Sequence, residues 1–234
     1  MGRNSIGWYD ATSMLTFITR QQGKLWFHMG LKYRTESTAA VIGATRHRVE
    51  TLTGQNVHGP PLYPEEVYYL LQRHAIQLFS LQSDDFNQPH VIGIDEFHFF
   101  LQSSWMPHVL VYAHLKANKF HPRRHFSMKE LESITDEITC LPGRRDEIAY
   151  DVFKSYKQVP GQLNNPCQKA DGVTDEQLVK RLHLVFRVLV YRFEDAVPSI
   201  ATLQYAMRHS DPVPLKVAVV HQNTILFHEI SITP

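Results

Sequence analysis

The residues best suited to do chemistry form a basic cluster near the middle of the chain. Five cationic or titratable side chains fall within ten residues, and they are Lys116, Lys119, Arg123, Arg124 and His125. Phenylalanines are interleaved with them, and four downstream cations could extend the patch: Arg144, Arg145, Lys154 and Lys157. Lysine and arginine on one face bind a phosphate backbone by releasing counterions, so the affinity falls as salt rises. The same pattern is equally typical of a solvated edge strand whose charges prevent aggregation, and the sequence leaves both readings open.

The histidines predict neither a metal site nor a cofactor site. Fourteen are present, but the proline between His121 and His125 would break any helix that carried both on one face. His98 lies near two acids, Asp95 and Glu96, which supply too few converging ligands. A phosphate-binding glycine loop, a nucleophile elbow and an HExxH motif are also missing from the sequence. We therefore expect no metal and no cofactor.

Composition excludes several other classes of protein. With 234 residues, 43% of them hydrophobic, the chain can bury one large core or two small ones. A formal net charge of +1 excludes a domain-wide positive field, so any RNA must be bound by local clusters. No apolar run approaches the ~20 residues that cross a bilayer, and the N-terminus has no apolar signal region. Cys140 and Cys167 lack CxxC spacing and indicate free thiols. We expect a nuclear or cytosolic protein without a transmembrane helix.

Local patterns predict a first domain over residues 1–104. The β-branched and aromatic stretch from Ile6 to Arg20 favours two short strands joined as a hairpin. Residues 33–61 are polar and small, which favours a long flexible loop. Proline, acidic residues and apolar spacing predict the other elements: a helix starting at Pro64-Glu65-Glu66, a strand over residues 75–80 and a helix from Ile94 to Leu101.

The second half predicts a domain over residues 105–234. A helix starting near Met106 leads to a basic segment, Phe120 to Phe126, whose proline places it at a sheet edge. Residues 154–172 favour a loop, and the Thr174–Gln177 tetrapeptide matches the capping box of a helix start. Apolar runs predict the remaining elements: strands over 147–153 and 182–193, a helix from Pro198, and a hairpin of Leu215–Val220 with Thr224–Ile230. The predicted fold class is α/β in the mixed α+β sense, a mixed sheet flanked by helices that follows a small α+β domain.

Four segments, taken in order, carry a resemblance to a known family. They are GKLWFHMG (23–30), LYPEEVYYLLQRHAIQLFS (62–80), VYAHLKANKF (111–120) and RHSDPVPLKVAVVHQNTILFHEI (208–230). Together they resemble the structural, non-catalytic subunit of the eukaryotic tRNA-splicing endonuclease, the Sen fifty-four family. The second segment is the most specific, because it is similar to that family's Pro-Glu-Glu helix and the Leu-Phe strand after it. The resemblance implies that the second domain is a tRNA-intron-endonuclease-like domain.

The resemblance also implies that the catalytic residues have been lost. Catalytic relatives cleave RNA without a metal, using a tyrosine, a histidine and a lysine in one pocket. The matching positions hold Phe153, Leu182 and Val213. A phenyl ring cannot donate a proton and valine cannot neutralise an oxyanion, so the resemblance implies a pseudoenzyme. An alternative stays open, a metal-independent RNA endonuclease with a displaced set of Tyr150, His183 and Lys216.

Assembly with other chains is the remaining implication of the resemblance. Relatives pair through the C-terminal strand and an inserted loop, so the expected interface residues are Asn223, Leu226, Phe227, His228 and Ile230. The expected partners are the catalytic subunits and the small structural subunit of a heterotetramer, acting in the nucleus. The expected substrate is intron-containing pre-tRNA, recognised by its shape and contacted first near Arg123 and Arg124. A general RNA-binding protein outside tRNA splicing stays open as a second alternative.

Overall fold

A computed structural model describes residues 4–23, 29–31, 36–82, 89–101, 104–125, 146–158 and 179–231. Within these ranges the chain forms two mixed sheets and five helices, which confirms the predicted α+β fold class. The fold divides into two units, the first reaching Ala113 and the second beginning at His114. No helix in the described ranges is long and apolar enough to cross a membrane.

Seven elements make up the described part of the first unit. They are β1 (Ser5–Asp10), β2 (Leu15–Arg20), α1 (Glu36–Thr53), α2 (Pro64–Gln72), β3 (Ile76–Ser80), β4 (Val91–Ile92) and α3 (Ile94–Phe100). The sheet has the order β2-β1-β3-β4, with β1 antiparallel to β2 and parallel to β3. The predicted hairpin, the predicted strand and the two predicted helices are confirmed, because their apolar periodicities match the faces that become buried.

A buried carboxylate fixes the start of α2. Glu66 accepts a hydrogen bond from the backbone N–H of Tyr63 at 2.9 Å, which satisfies a donor that the helix itself leaves unpaired. The same carboxylate accepts the N–H of Gly30, also at 2.9 Å, and so ties the preceding segment to this helix. One of the acids that predicted the helix therefore also attaches it to the segment around Gly30.

The predicted loop over residues 33–61 is wrong, because most of it is the helix α1. Ile42 and Val49, two turns apart, are 1% and 0% exposed, so a narrow apolar stripe suffices to attach this helix. Thr51 and Thr53 direct their hydroxyls to the carbonyls four residues earlier, at 2.8 and 2.7 Å. Polar composition had suggested a loop, but the threonines are satisfied within the helix.

Seven elements follow from the end of the first unit onward. They are α4 (Met106–Ala117), β5 (Phe120–Arg124), β6 (Tyr150–Gln158), β7 (Val179–Arg192), α5 (Ile200–Ser210), β8 (Leu215–His221) and β9 (Thr224–Ile230). The second sheet has the order β5-β6-β7-β8-β9, in which only β7 and β8 are parallel. The predicted edge position of β5, the helix after residue 198 and the final hairpin are confirmed.

The helix α5 connects the parallel strands β7 and β8 and packs on the part of the sheet where these two strands pair. Ser199 caps it, since its Oγ accepts the N–H of Thr202 at 3.1 Å. Its Ala206 lies in a buried cluster with Ile148, just before β6, and with four residues of β7 and β8: Leu189, Tyr191, Leu215 and Val217. This core holds the sheet that positions the candidate site.

Two strands extend beyond their neighbours at one end of this sheet. β5 follows β6 only as far as Lys154, which pairs with Phe120, and β8 follows β7 only from Arg187 onward. Within the described residues the remaining parts of β6 and β7 pair only with each other. We name residues 154–158 and 179–183 the β6–β7 arm; its first pair, Lys154 with His183, still borders β5 through Phe120, and the pairs beyond it form a two-stranded extension. Val185 is an extra residue between the Phe153 and Val152 pairings, so a bulge lies where the arm leaves the sheet.

The arm corrects a second prediction. The loop predicted for residues 154–172 is wrong over 154–158, which are strand, and the rest of it lies outside the described residues. The capping box predicted at Thr174–Gln177 lies outside them as well, and strand is already present at Val179. Pairing with a partner more than twenty residues away decides the local conformation here, and a local pattern does not report it.

Candidate nucleic-acid interface

The basic cluster does not form one continuous surface. Lys116 lies in the last turn of α4, and Lys119 is exposed in the short connection to β5. Arg123 and Arg124 are consecutive residues of a strand, so their side chains leave opposite faces of the sheet. His125 follows directly. The structure thus brings these five residues to one edge of the sheet and divides them between its two faces.

One member of the cluster is held in a partly buried ionic group. His125 Nδ1 lies 3.0 Å from Asp151 Oδ1, and Arg187 Nε donates to the same oxygen at 2.8 Å. Arg187 Nη1 also donates to the carbonyl of His209 at 2.6 Å. Burial alone would raise the pKa of Asp151, but the hydrogen bonds and charges of His125 and Arg187 outweigh it and hold that pKa below its ordinary value. His125 is therefore part of a structural network across three strands.

Sequence reasoning missed Asp151 and Arg187 as members of this site. They lie 36 residues apart and meet only because β6 and β7 pair in this register. An acid and an arginine on two predicted strands form a weak signal, since one residue of register shift would place them on opposite faces.

Aromatic rings accompany the cations on both faces of the sheet. The Arg123 guanidinium lies over the Phe153 ring, 5.1 Å from its centre. On the other face, Lys154 Nζ is 5.7 Å from the centre of Phe120, and the Phe120 and Phe186 rings meet edge to face at 5.4 Å. Such contacts hold long cationic side chains in fixed positions.

The three positions that the resemblance assigns to lost catalytic residues lie near the root of the arm. Phe153 and Ser155 alternate on one face of β6, and Ser155 pairs with Leu182. Val213 lies just before β8, and its N–H donates to the carbonyl of Ser210 at 2.7 Å. The structure therefore places Phe153 and Leu182 on one face and Val213 at the start of a neighbouring strand. None of these three side chains can transfer a proton or carry a charge.

The structure does not assemble the displaced set. Tyr150 and Lys216 both pair with Val188, so they lie in one row, with Tyr150 only 2% exposed. His183 pairs with Lys154 instead, five residues along β7 from Val188, or about 16 Å away. Lys216 Nζ is engaged with the Glu229 carboxylate at 3.3 Å. Concerted proton transfer needs its groups within hydrogen-bond reach of one reacting centre, and this register separates them.

The predicted interface residues on β9 divide into two groups. Asn223, Leu226 and His228 are exposed, and Leu226 keeps 55% of its surface in solvent. Phe227 instead packs its ring against His114 at 5.5 Å, and Ile230 packs against the cluster under α5. Since β9 ends the sheet order, its outer backbone groups face away from the sheet.

Titratable groups of the first unit form separate pairs. His90 Nε2 lies 2.7 Å from Glu96, and the Tyr68 hydroxyl lies 3.5 Å from His98 Nδ1. Burial, and then the charge of Asp95, raises the pKa of Tyr68, so this hydroxyl keeps its proton. In the ranges that the structure describes, no three His, Cys, Asp or Glu side chains are grouped so that they could hold a metal ion.

Comparison with known proteins adds no family assignment to this geometry. Neither a scan of protein-family models nor a search of curated proteins found a match to the sequence. The resemblance to the splicing-endonuclease subunit accordingly stays a prediction that depends on the four sequence segments. The structure contributes the positions of the residues that the prediction names.

Proposed function

We propose that this chain is a non-catalytic structural subunit of the tRNA-splicing endonuclease, which pairs with a catalytic subunit and positions intron-containing pre-tRNA for cleavage. The observation that carries the proposal is the set of side chains at three positions on or near the β6–β7 arm, where the family's catalytic residues are expected. Phe153, Leu182 and Val213 occupy the positions of the family's tyrosine, histidine and lysine, and their side chains offer neither a proton donor nor a cation. Loss of each group should lower a cleavage rate about 100-fold or more.

The edge strand β9 supports the assembly part of the proposal. Its outer backbone groups can accept another strand, and its exposed Leu226 and His228 would flank the new pairing. The partly buried Phe227 and Ile230, which pack on opposite faces of the sheet, hold the strand in place. The proposed partners are the catalytic and small structural subunits of the endonuclease, in the nucleus.

The basic edge supports the RNA-binding part. Lys116, Lys119, Arg123, Arg124 and His125 lie at or beside β5, the opposite edge of the sheet from β9. A chain with one edge for a partner and the other for phosphate could hold the RNA while its partner cuts it. We propose Arg123 as the first phosphate contact, because its stacking on Phe153 holds the guanidinium in place.

Capture from cells tests the assembly. The tagged full chain should retain the other subunits of the endonuclease, identified by mass spectrometry. Leu226→Asp should abolish this capture because it puts a charge at the proposed strand contact. Val91→Asp is the matched control, since Val91 is a comparably exposed residue, 48% against 55%, on the edge strand of the other sheet. Capture of unrelated RNA-binding proteins alone would favour the general RNA-binding alternative.

A nuclease assay tests the catalytic alternative. The purified chain, incubated with pre-tRNA in EDTA, should release no fragments. Fragments with 2′,3′-cyclic phosphate ends that disappear with His183→Ala would establish the displaced set as an active site and overturn the proposal.

A further inference from the structure

The β6–β7 arm concentrates positive charge at the end of the sheet where β5 and β8 stop. Its ten residues contain five basic ones and no aspartate or glutamate: Lys154, Lys157, Lys180, Arg181 and His183. Lys154, Arg181 and His183 are exposed, and across the described ranges none of these three forms an ion pair. We propose that this arm binds the phosphate backbone of unpaired RNA.

The pairing register of the arm sets basic residues opposite one another. Lys154 pairs with His183, and Lys157 pairs with Lys180. A two-stranded ribbon is only marginally stable in water. A polyanion bound along it would contact both strands, because each bound phosphate neutralises a cation such as the exposed Lys154 or Arg181 and releases a counterion.

Aromatic side chains between the cations favour RNA over an acidic protein. Tyr156 pairs with Arg181, and its ring meets the His183 ring edge to face at 6.2 Å. At the root of the arm, Lys154 Nζ lies 5.7 Å from the centre of the Phe120 ring. Rings flanked by cations stack on unpaired bases while the cations hold the backbone. An acidic peptide would be bound by the cations alone, and the aromatic rings would have no base to stack on.

The arm differs from the basic edge in what its cations already contact. His125 is bound to Asp151 at 3.0 Å, so part of its binding capacity serves the fold. Arg181 and His183 are exposed, and they precede Arg187, the first residue of β7 that pairs with β8. A ligand can therefore reach both strands of the arm at this point. The inference deepens the RNA-binding part of the proposed function and rests on it only for the choice of pre-tRNA as the probe.

Salt-dependent binding tests the arm. The full chain and the variant Lys154→Gln/Arg181→Gln are titrated with fluorescent intron-containing pre-tRNA between 50 and 200 mM salt. The variant should bind more weakly at every concentration, and the slope of log affinity against log salt should fall by about 1.4, or about 0.7 for each cation removed from a contact with unpaired RNA. Arg48→Gln/Arg208→Gln is the matched control, since it removes two exposed arginines from helices and lowers the net charge equally. Its slope should stay at the wild-type value, as should that of the charge-preserving Lys154→Arg/Arg181→Lys.

Three results would overturn the inference. The first is an unchanged slope in the glutamine variant of the arm with a wild-type circular dichroism spectrum. The second is the same unchanged slope accompanied by aggregation, which would mean that the charges only protect the strands. The third is tighter binding of poly-L-glutamate than of RNA, lost in that variant. Each leaves the capture of endonuclease subunits unaffected, whereas failed capture with an intact salt effect would overturn the proposed function alone.

Discussion

The two halves of β7 belong to one strand but have opposite surroundings. Arg187 and Val188 pair with both β6 and β8, the strand then continues beside β8 to Arg192, and Val188 and Leu189 are fully buried. Before His183 it pairs with β6 alone, and Arg181 is exposed. The buried half stabilises the fold, while the exposed half keeps charges that no element of the described chain uses for folding. One strand that extends past the end of its neighbour therefore contributes both to the core and to an exposed surface that can bind a ligand.

Matched leucines on β7 give the largest expected difference between these halves. Leu189→Ala should lower the free energy of unfolding by about 3 kcal/mol, because it opens a cavity under α5. Leu182→Ala, on the arm, should lower it by less than about 1 kcal/mol, since this side chain is only partly buried. Urea denaturation measures both. Equal losses would mean that the arm is as much a part of the core as the inner half.

The ionic group at the boundary between the halves gives the next effect. Asp151→Asn should lower the free energy of unfolding by about 2 kcal/mol near neutral pH, because charged hydrogen bonds to His125 and Arg187 are weakened. The pKa of Asp151 is lowered in the fold, so its stabilisation is complete above the ordinary carboxyl pKa of about 4 and is lost as the pH falls through the lowered value.

The difference in stability between wild type and Asp151→Asn should therefore shrink as the pH falls below about 4. Chemical denaturation of both proteins over this range measures it, and the contributions of other carboxyl groups cancel in the difference. A difference that stays constant with pH would show that the aspartate acts by packing and not by charge.

Matched serines give a smaller effect. Ser199→Ala removes the cap of α5, which covers the inner half of β7, and should lower the free energy of unfolding by about 1 kcal/mol. Ser155→Ala, on the arm, should change it by less than about 0.5 kcal/mol. Thermal unfolding of the two variants measures this difference. Equal losses would mean that replacing a serine by alanine has a general effect and that the helix cap does not stabilise the protein.

Arg123 gives the smallest expected effect, and it concerns binding. Arg123→Gln should reduce the salt slope of pre-tRNA affinity by about one, uniformly across unrelated RNA sequences. A loss confined to one RNA sequence would indicate a base contact instead of a phosphate contact. Fluorescence anisotropy at several salt concentrations measures this slope.

Local patterns predicted the elements whose burial is decided within the element itself. The caps, turns and apolar faces of the helix at Pro64 and of the hairpin of β8 with β9 are determined by residues that are close together in the sequence. The helix α1 was missed, because only Ile42 and Val49 anchor it among polar residues. Here tertiary packing outweighed the signal of composition.

The site was less predictable than the fold because it depends on register. The basic cluster is contiguous in sequence, yet Arg123 and Arg124 leave opposite faces of β5. The pairing of Asp151 with Arg187, and the opposition of Lys154 and His183, follow from a strand alignment with a bulge at Val185. Period-two patterns give the faces of each strand, but they do not give the alignment between strands.

Cleavage by the captured assembly tests the central claim most directly. Complexes purified on the tagged chain, wild type or His183→Ala, are given intron-containing pre-tRNA, and the initial rates are compared. The expected result is release of the intron at equal rates by both complexes, because the partner supplies the chemistry. A His183→Ala complex that no longer cuts, or a wild-type preparation that contains no endonuclease subunit, would contradict the account.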